Sequence, residues 1–186
     1  MSNTRIGSTY IGNGATASNF NAIAMGSSTI ASGTISTAIG DNTTASGSSS
    51  TAMGNRTIAS ESHATAMGFF TIAEGRESTA MGNNTIASSQ GELALGKFNT
   101  SGTNRLLTVG NGSNHSNRSD AMVILNDGKV GIGTSNPTES LEVIGNVKAD
   151  SLSGDGSQLT GITSTTNIVI DADLSLIHIS EPTRPY

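Results

Sequence analysis

Large apolar residues recur along this chain at a fixed step, with mostly serine, threonine, alanine, glycine and asparagine between them. Met25, Ile39, Met53, Met67, Met81 and Leu95 are fourteen residues apart, each preceded by an alanine (Ala24, Ala38, Ala52, Ala66, Ala80, Ala94) and followed by a glycine. The glycine column starts one step earlier, at Gly12, and runs through Gly26, Gly40, Gly54, Gly68, Gly82 and Gly96. A second alanine series, Ala17, Ala31, Ala45, Ala59, Ala73 and Ala87, stands five residues after each glycine from Gly12 to Gly82. Gly33, Gly47 and Gly75 fall midway, so each repeat is two similar halves of seven. Self-similarity at such a period is the signature of stacked repeats.

The pattern within a repeat predicts strands. Fourteen residues rich in Gly, Ser, Thr and Asn carry a helix penalty of several kcal/mol, at up to about 1 kcal/mol for each poor helix former. Two short strands joined by glycine turns fit the alternation. Parity then sorts the side chains. Ala22, Ser36, Ser50, Ala64 and Ser78 share a face with the first alanine series, and Thr29, Thr43, Thr57, Thr71 and Thr85 share one with the second. The ladder Met25, Ile39, Met53, Met67, Met81 and Leu95 points the other way, as do Ile30, Ile58, Ile72 and Ile86. Stacked as a solenoid, each coil hydrogen-bonds to its neighbours and cannot fold alone. Seven turns at about 4.8 Å give a rod on the order of 30 Å long. The small face can line a narrow interior, which leaves the ladder outside, where an apolar stripe marks an interface. Parallel association of identical chains would cover it. Parity by itself also admits the inverse, with the ladder inside and the alanines outside.

Composition narrows the classes. Of 186 residues 12% are charged, far below the roughly 25% of an average globular protein. The net charge is only −5 and the pattern is strict, so the chain is not of the disordered, highly charged kind. There is no cysteine, which excludes disulfides and thiolate metal sites. The opening MSNTRIGSTYIGNG lacks a signal peptide's basic start and apolar centre, no stretch reads as a membrane span, and an export signal is expected outside this chain. Nine basic residues in an acidic chain argue against nucleic acid, and no direct membrane contact is expected.

Catalytic and metal chemistry find little support. His63, His115 and His178 are far apart and belong to no Ser/His/Asp set. The phrase SGDGSQ lacks the alternating aspartates of a calcium loop, and no helix follows for a phosphate loop. The Asn-x-Ser/Thr triplets match glycosylation acceptors by pattern only, as expected in a chain so rich in these residues. Asp41, Glu61, Glu74, Glu77 and Glu92 occupy different repeat positions, whereas a polysaccharide-cleaving solenoid needs carboxylates clustered on one face. That enzyme is a remote alternative. The expectation is a chain with no catalytic residue, cofactor or metal, whose ligand-binding residues the sequence does not name.

The runs AIAMG, STAIGDNTTASG, STAMGNRTIAS and STAMGNNTIAS resemble the head repeats of YadA-type trimeric adhesins, over roughly Arg5 to Lys97. The resemblance implies a left-handed parallel β-roll, assembled as a trimer at the tip of a fibrous surface protein. Thr stands at most positions where that family often has Val, and the mid-repeat glycine is missing at Asn19, Glu61 and Ser89, which bears on local turn shape. The period is expected to stop after Gly96. Beyond it, Leu107 to Val109 and Met122 to Leu125 alternate, and NDG at 126–128 leading into KVGIG predicts a hairpin. SLEVIGNVKA predicts a further strand pair around Gly145. VGIGTSNPTESLEVIGNVKA and LSGDGSQLTGI are similar to segments of bacteriophage tail fibres and fibre-like bacterial surface proteins, in which a shaft and a self-cleaving trimerising chaperone commonly follow. LSLIHISEPTR, from Leu174 to Arg184, is similar to a transposase sequencing-library adapter translated in one frame, so the tail from about Leu174 is expected to be an artefact and the natural chain to have continued.

The expected division is therefore head repeats at 5–97, fibre-like hairpins or neck at 98–163, and linker with artefact tail at 164–186. The expected fold is all-β: a β-roll solenoid, trimeric, followed by short hairpins. The expected function is adhesion to a host-cell or matrix receptor or glycan, by a homotrimer joined through Met25, Ile39, Met53, Met67, Met81 and Leu95. A bacteriophage tail-fibre segment for host recognition is the alternative, which places the chain on a cell surface or a virion tail.

Overall fold

The computed structural model describes residues 7–151. LSGDGSQLTGI, His178 and the adapter-like LSLIHISEPTR lie outside them. The described residues form seventeen strands and no helix. Long strands alternate with two-residue strands: β1 Thr9–Ile11, β2 Thr16–Ala17, β3 Ile23–Ser27, β4 Ile30–Ala31, β5 Thr37–Asp41, β6 Thr44–Ala45, β7 Thr51–Asn55, β8 Ile58–Ala59, β9 Thr65–Phe69, β10 Ile72–Ala73, β11 Thr79–Asn83, β12 Ile86–Ala87 and β13 Leu93–Lys97. Four strands follow: β14 Arg105–Asn111, β15 Asp120–Leu125, β16 Val130–Ile132 and β17 Leu141–Val143.

The repeat pattern translates directly into parallel pairing at a step of fourteen. Ala38 pairs with Ala24 and Ala52, and Gly40 with Gly26 and Gly54, along the sheet β1-β3-β5-β7-β9-β11-β13. The two-residue strands stack likewise into a six-stranded sheet from β2 to β12. Each coil thus contributes one strand to each of two sheets, and the chain is a β-solenoid.

Both corners of the coil use left-handed backbone. Ser28, Asn42, Arg56, Phe70, Asn84 and Phe98 have φ between 45° and 56°, and Asn21, Ile35, Ser49, His63 and Glu77 between 51° and 61°. The glycine column has a different cause. Gly54 has φ 126°, and a Cβ there would lie 2.1 Å from the Gly68 carbonyl oxygen, so the coils could not stack this closely. The mid-repeat position is more tolerant. Asn19, Glu61 and Ser89 accept the hydrogen bond from the amide three residues on at 3.1–3.2 Å, as Gly33, Gly47 and Gly75 do at 3.1–3.3 Å, so the turn survives the missing glycine.

Both alanine series fill the coil interior, joined by Ala22, Ser36, Ser50, Ala64, Ser78 and the threonines Thr29 to Thr85, all buried. The arrangement with alanines outside is therefore overturned: two backbones facing each other across so narrow a coil leave room for methyl-sized groups only. Such a core gives little per coil. At about 0.8 kcal/mol per buried methyl-sized group, two alanines supply roughly 2 kcal/mol, so stability must accumulate from coil to coil.

The fourteen-residue step does not end at Gly96. β14 pairs in parallel with β13, with Thr108 on Ala94, Val109 on Leu95 and Gly110 on Gly96. The extra step is disguised because threonine replaces the inner alanine and no short strand precedes β14. From there the sheet turns antiparallel through β15 and β16, and the predicted hairpin closes at Asn126–Gly128, with Leu125 N–H donating to Lys129 O at 2.9 Å. The predicted strand pair around Gly145 does not form. Leu141–Val143 instead lies parallel to β16, and beyond it the chain takes no strand as far as Ser151. Gly145, at φ 139°, bends the chain after that strand and closes no hairpin.

Candidate functional site

Sheet alternation carries the ladder to the outside of the long-strand sheet. Met25, Met53 and Met81 are 38%, 36% and 37% exposed, and Ile39, Met67 and Leu95 are half-buried by their neighbours in the stack. Val109 continues the column on β14. A parallel column on the same face holds Ile23, Thr37, Thr51, Thr65, Thr79 and Leu93. Outside the six-stranded sheet stand Ile30, Thr44, Ile58, Ile72 and Ile86. A full methionine or isoleucine burial is worth about 1.5–3 kcal/mol, so a ladder side chain left more than a third exposed withholds roughly 0.5–1 kcal/mol per coil, which covering the stripe would recover.

The end of the six-stranded sheet is built from side chains whose role parity alone does not show. In the coils before it, the first amide of each short strand donates to a threonine carbonyl one coil on, as Ile72 does to Thr85. At Ile86 the acceptor is the Asn99 side chain, whose Oδ1 receives the Ile86 amide at 2.8 Å while Nδ2 donates to the Ile86 carbonyl at 2.8 Å. Asn99 stands in the interior threonine column, fourteen residues after Thr85. Glu92 does the same next door. It occupies the column of Ser36, Ser50 and Ser78, is 1% exposed, and its Oε2 accepts from the amides of Ser88 and Ser89. In earlier coils a backbone carbonyl takes those bonds, as Ala87 does from Glu74 and Gly75. One amide and one carboxylate thus replace the backbone of a further coil.

Successive windows of the chain, residues 17–43, 31–57, 45–71, 59–85 and 73–97, each match the YadA head domain repeat (2 copies). Residues 17–97 are YadA head domain repeats. No curated protein matches the chain. The YadA head family is a trimeric, surface-exposed adhesin family, and its repeats imply a segment of the trimeric autotransporter adhesin type with a surface location.

Beyond the YadA head repeats the loops at 100–105 and 134–137 face each other across a cleft of about 550 Å³. Beneath it Arg105 and Asp120 form a buried ion pair at 3.0 Å. Asp120 also accepts from the Thr100 amide at 2.9 Å, the Thr100 hydroxyl and the Ser135 hydroxyl at 2.7 Å. A charge pair so deeply enclosed is tolerable because nearly every donor and lone pair is used. Sequence reasoning passed over these residues, since an isolated Arg and Asp fifteen positions apart carry no periodic signal.

The residues weighed for chemistry are dispersed. His63 stands at an exposed corner, and His115 packs edge-on to Phe98 with its Nδ1 accepting from Arg118 at 3.4 Å. Asp41 accepts from Asn55 one coil on, Glu74 from Ser88 one coil on, and Glu77 pairs with Arg76. Glu92 is the sheet-ending carboxylate. Among the described residues no group of three or more His, Cys, Asp or Glu is placed to hold a metal. The resolved pKa shifts belong to the 126–129 turn and to Glu142 on β17. The hydrogen bond from the Lys129 ammonium lowers Asp127, the same bond raises Lys129, and the Thr138 amide and hydroxyl lower Glu142.

Proposed function

We propose that this chain is the adhesive head segment of a trimeric fibrous surface protein, attaching its bearer to a host-cell or matrix receptor. Three parallel copies pack through Met25, Ile39, Met53, Met67, Met81 and Leu95. The half-exposed ladder carries this reading: one large apolar side chain per coil, in unbroken register, outside a coil already filled by small residues. The coil's part is rigid display, with the chemistry of attachment on its surfaces and on the loops that follow. The bacteriophage tail-fibre reading draws on the fibre-like phrases between Val130 and Ala149, and the genes adjoining the coding sequence distinguish the two.

Sedimentation equilibrium and circular dichroism on Met67→Asp and Ala66→Leu test the seam. Met67→Asp places three carboxylates near the trimer axis, where desolvation and mutual repulsion oppose ionisation, so the β spectrum persists while the trimer is lost. Ala66→Leu overpacks the interior and costs about 1–3 kcal/mol in any oligomeric state. A wild-type chain whose melting temperature is unchanged by a fused trimerising coiled coil, and which stays monomeric without it, would refute the trimer. Attachment is read from binding of the fused trimer to cultured cells and immobilised matrix, with no binding as the refuting result.

A further inference from the structure

We propose that the cleft between the 100–105 and 134–137 loops is a binding site for a neutral saccharide unit of the receptor. The inference rests on the adhesive reading above and supplies its ligand class. The cleft's volume, about 550 Å³, lies within the roughly 300–1,000 Å³ typical of small-molecule sites. Leu125 and Pro137 give it an apolar floor, while Ser101, Thr103, Asn104 and Asn136 stand around it. The side chains of these four make no hydrogen bond to the described residues. Two amides and two hydroxyls present donors and acceptors together, which suits ligands whose hydroxyls both give and receive, and the floor suits a face of C–H bonds.

Charge decides against the other ligand classes. Arg105 is the charged side chain of the lining, and its guanidinium is committed to Asp120, the Thr100 carbonyl and the Thr100 hydroxyl. Among the described residues an anion therefore meets no free cation there. Asp120 in turn accepts from Arg105, Thr100 and Ser135, so a cation meets no free carboxylate. That same network ties Thr100 and Arg105 of one loop to Ser135 of the other through Asp120. Gly102 belongs to it, because a Cβ at that position would lie 2.5 Å from Arg105 Nε. Among the described residues no aromatic ring lines the cleft to stack on a sugar, so a single site binds weakly, and three sites on one head gain by avidity.

The test is amide chemical-shift mapping of the full ¹⁵N-labelled chain with methyl β-galactoside, methyl α-mannoside and N-acetylglucosamine as neutral probes. N-acetylneuraminic acid is the anionic probe and glycerol the control polyol. The expected result is saturable shifts for at least one neutral sugar, confined to Ser101–Arg105 and Ser135–Asn136, with millimolar affinity. Asn136→Trp, an exposed substitution that fills the cleft, abolishes them, and Asn104→Ala weakens binding about tenfold. An unchanged Thr100 amide signal in the variants shows that the Asp120 network is intact. Three results would each overturn the proposal: no saturable shift with any neutral sugar, shifts that survive Asn136→Trp, or tighter binding of the anionic sugar. A head that binds sugar in the cleft but attaches to no cell would refute the adhesive reading alone. Equal attachment by wild type and Asn136→Trp would refute the cleft as the receptor site while supporting adhesion.

Discussion

Thr57 is fully buried in the coil with its hydroxyl bonded to nothing, and so are Thr29, Thr43, Thr71 and Thr85 one or more coils away. Successive coils are about 4.8 Å apart, too far for one hydroxyl to reach the next directly. The position demands a small β-branched side chain for packing and strand propensity, but the oxygen loses its water for no return. Thr57→Val keeps shape and branching and removes that loss. It should stabilise the fold by about 1 kcal/mol, whereas Thr57→Ser, which keeps the hydroxyl and deletes the methyl, should destabilise it. Urea melts of the two variants beside wild type check the signs. If Thr57→Val destabilises, the hydroxyl has a partner, such as an enclosed water, and the penalty assigned to it is wrong.

At the level of the element, the decisive question is how a stack of parallel strands stops. An open edge of N–H and C=O groups invites further pairing, and here it is closed by the Asn99 amide and the Glu92 carboxylate. Asn99→Ala leaves both polar groups of Ile86 without their partner and should cost about 2–3 kcal/mol. Hydrogen exchange gives a readout that general destabilisation would not: the Ile86 amide should lose protection far more than the Ile58 amide, which has Thr71 as its acceptor. Equal loss at both would mean that Asn99 acts only through global stability. The same site marks the limit of what was legible beforehand. Period and parity were enough to give coils, strands and the sorting of small and large side chains onto opposite faces, because each depends on side-chain size and direction repeated many times; that the small face lines the coil is set by how closely the two backbones approach. Sheet endings depend on single side chains that imitate backbone. Glu92 was visible as a carboxylate and its column was visible as small, but nothing in a pattern says that a charge in a serine column will satisfy two amides. Likewise Gly145 carried a turn signal, yet only the parallel partnership of β16 and β17 determines that no return strand follows it.

Over the whole molecule, stability and assembly both follow from phase, and phase can be shifted deliberately. Deleting Arg56 to Phe69 removes fourteen residues, so Asn55 meets Phe70 and every column continues. The rod shortens by about one strand spacing of 4.8 Å and loses one coil's share of stability, so it should keep its β spectrum and melt a few degrees lower. Deleting Arg56 to Ser62 removes only seven. The halves are alike enough that small residues still face inward, with Ala64 and Ala66 taking the places of Thr57 and Ala59. Strand lengths no longer match, however. The five-residue β7 would lie against the two-residue β10, and the ladder would pass from Met53 to Glu74, leaving Met67 and Met81 on the opposite side of the coil. Several ladder hydrogen bonds, each worth about 1 kcal/mol net, are lost at that junction, and the apolar stripe is cut in two. The shorter deletion should therefore be the more damaging, melting well below the longer one and failing to associate. Thermal melts by circular dichroism with sedimentation on the same samples decide it. Equal melting and equal assembly of the two deletions would show that neither column register nor ladder continuity holds the molecule together.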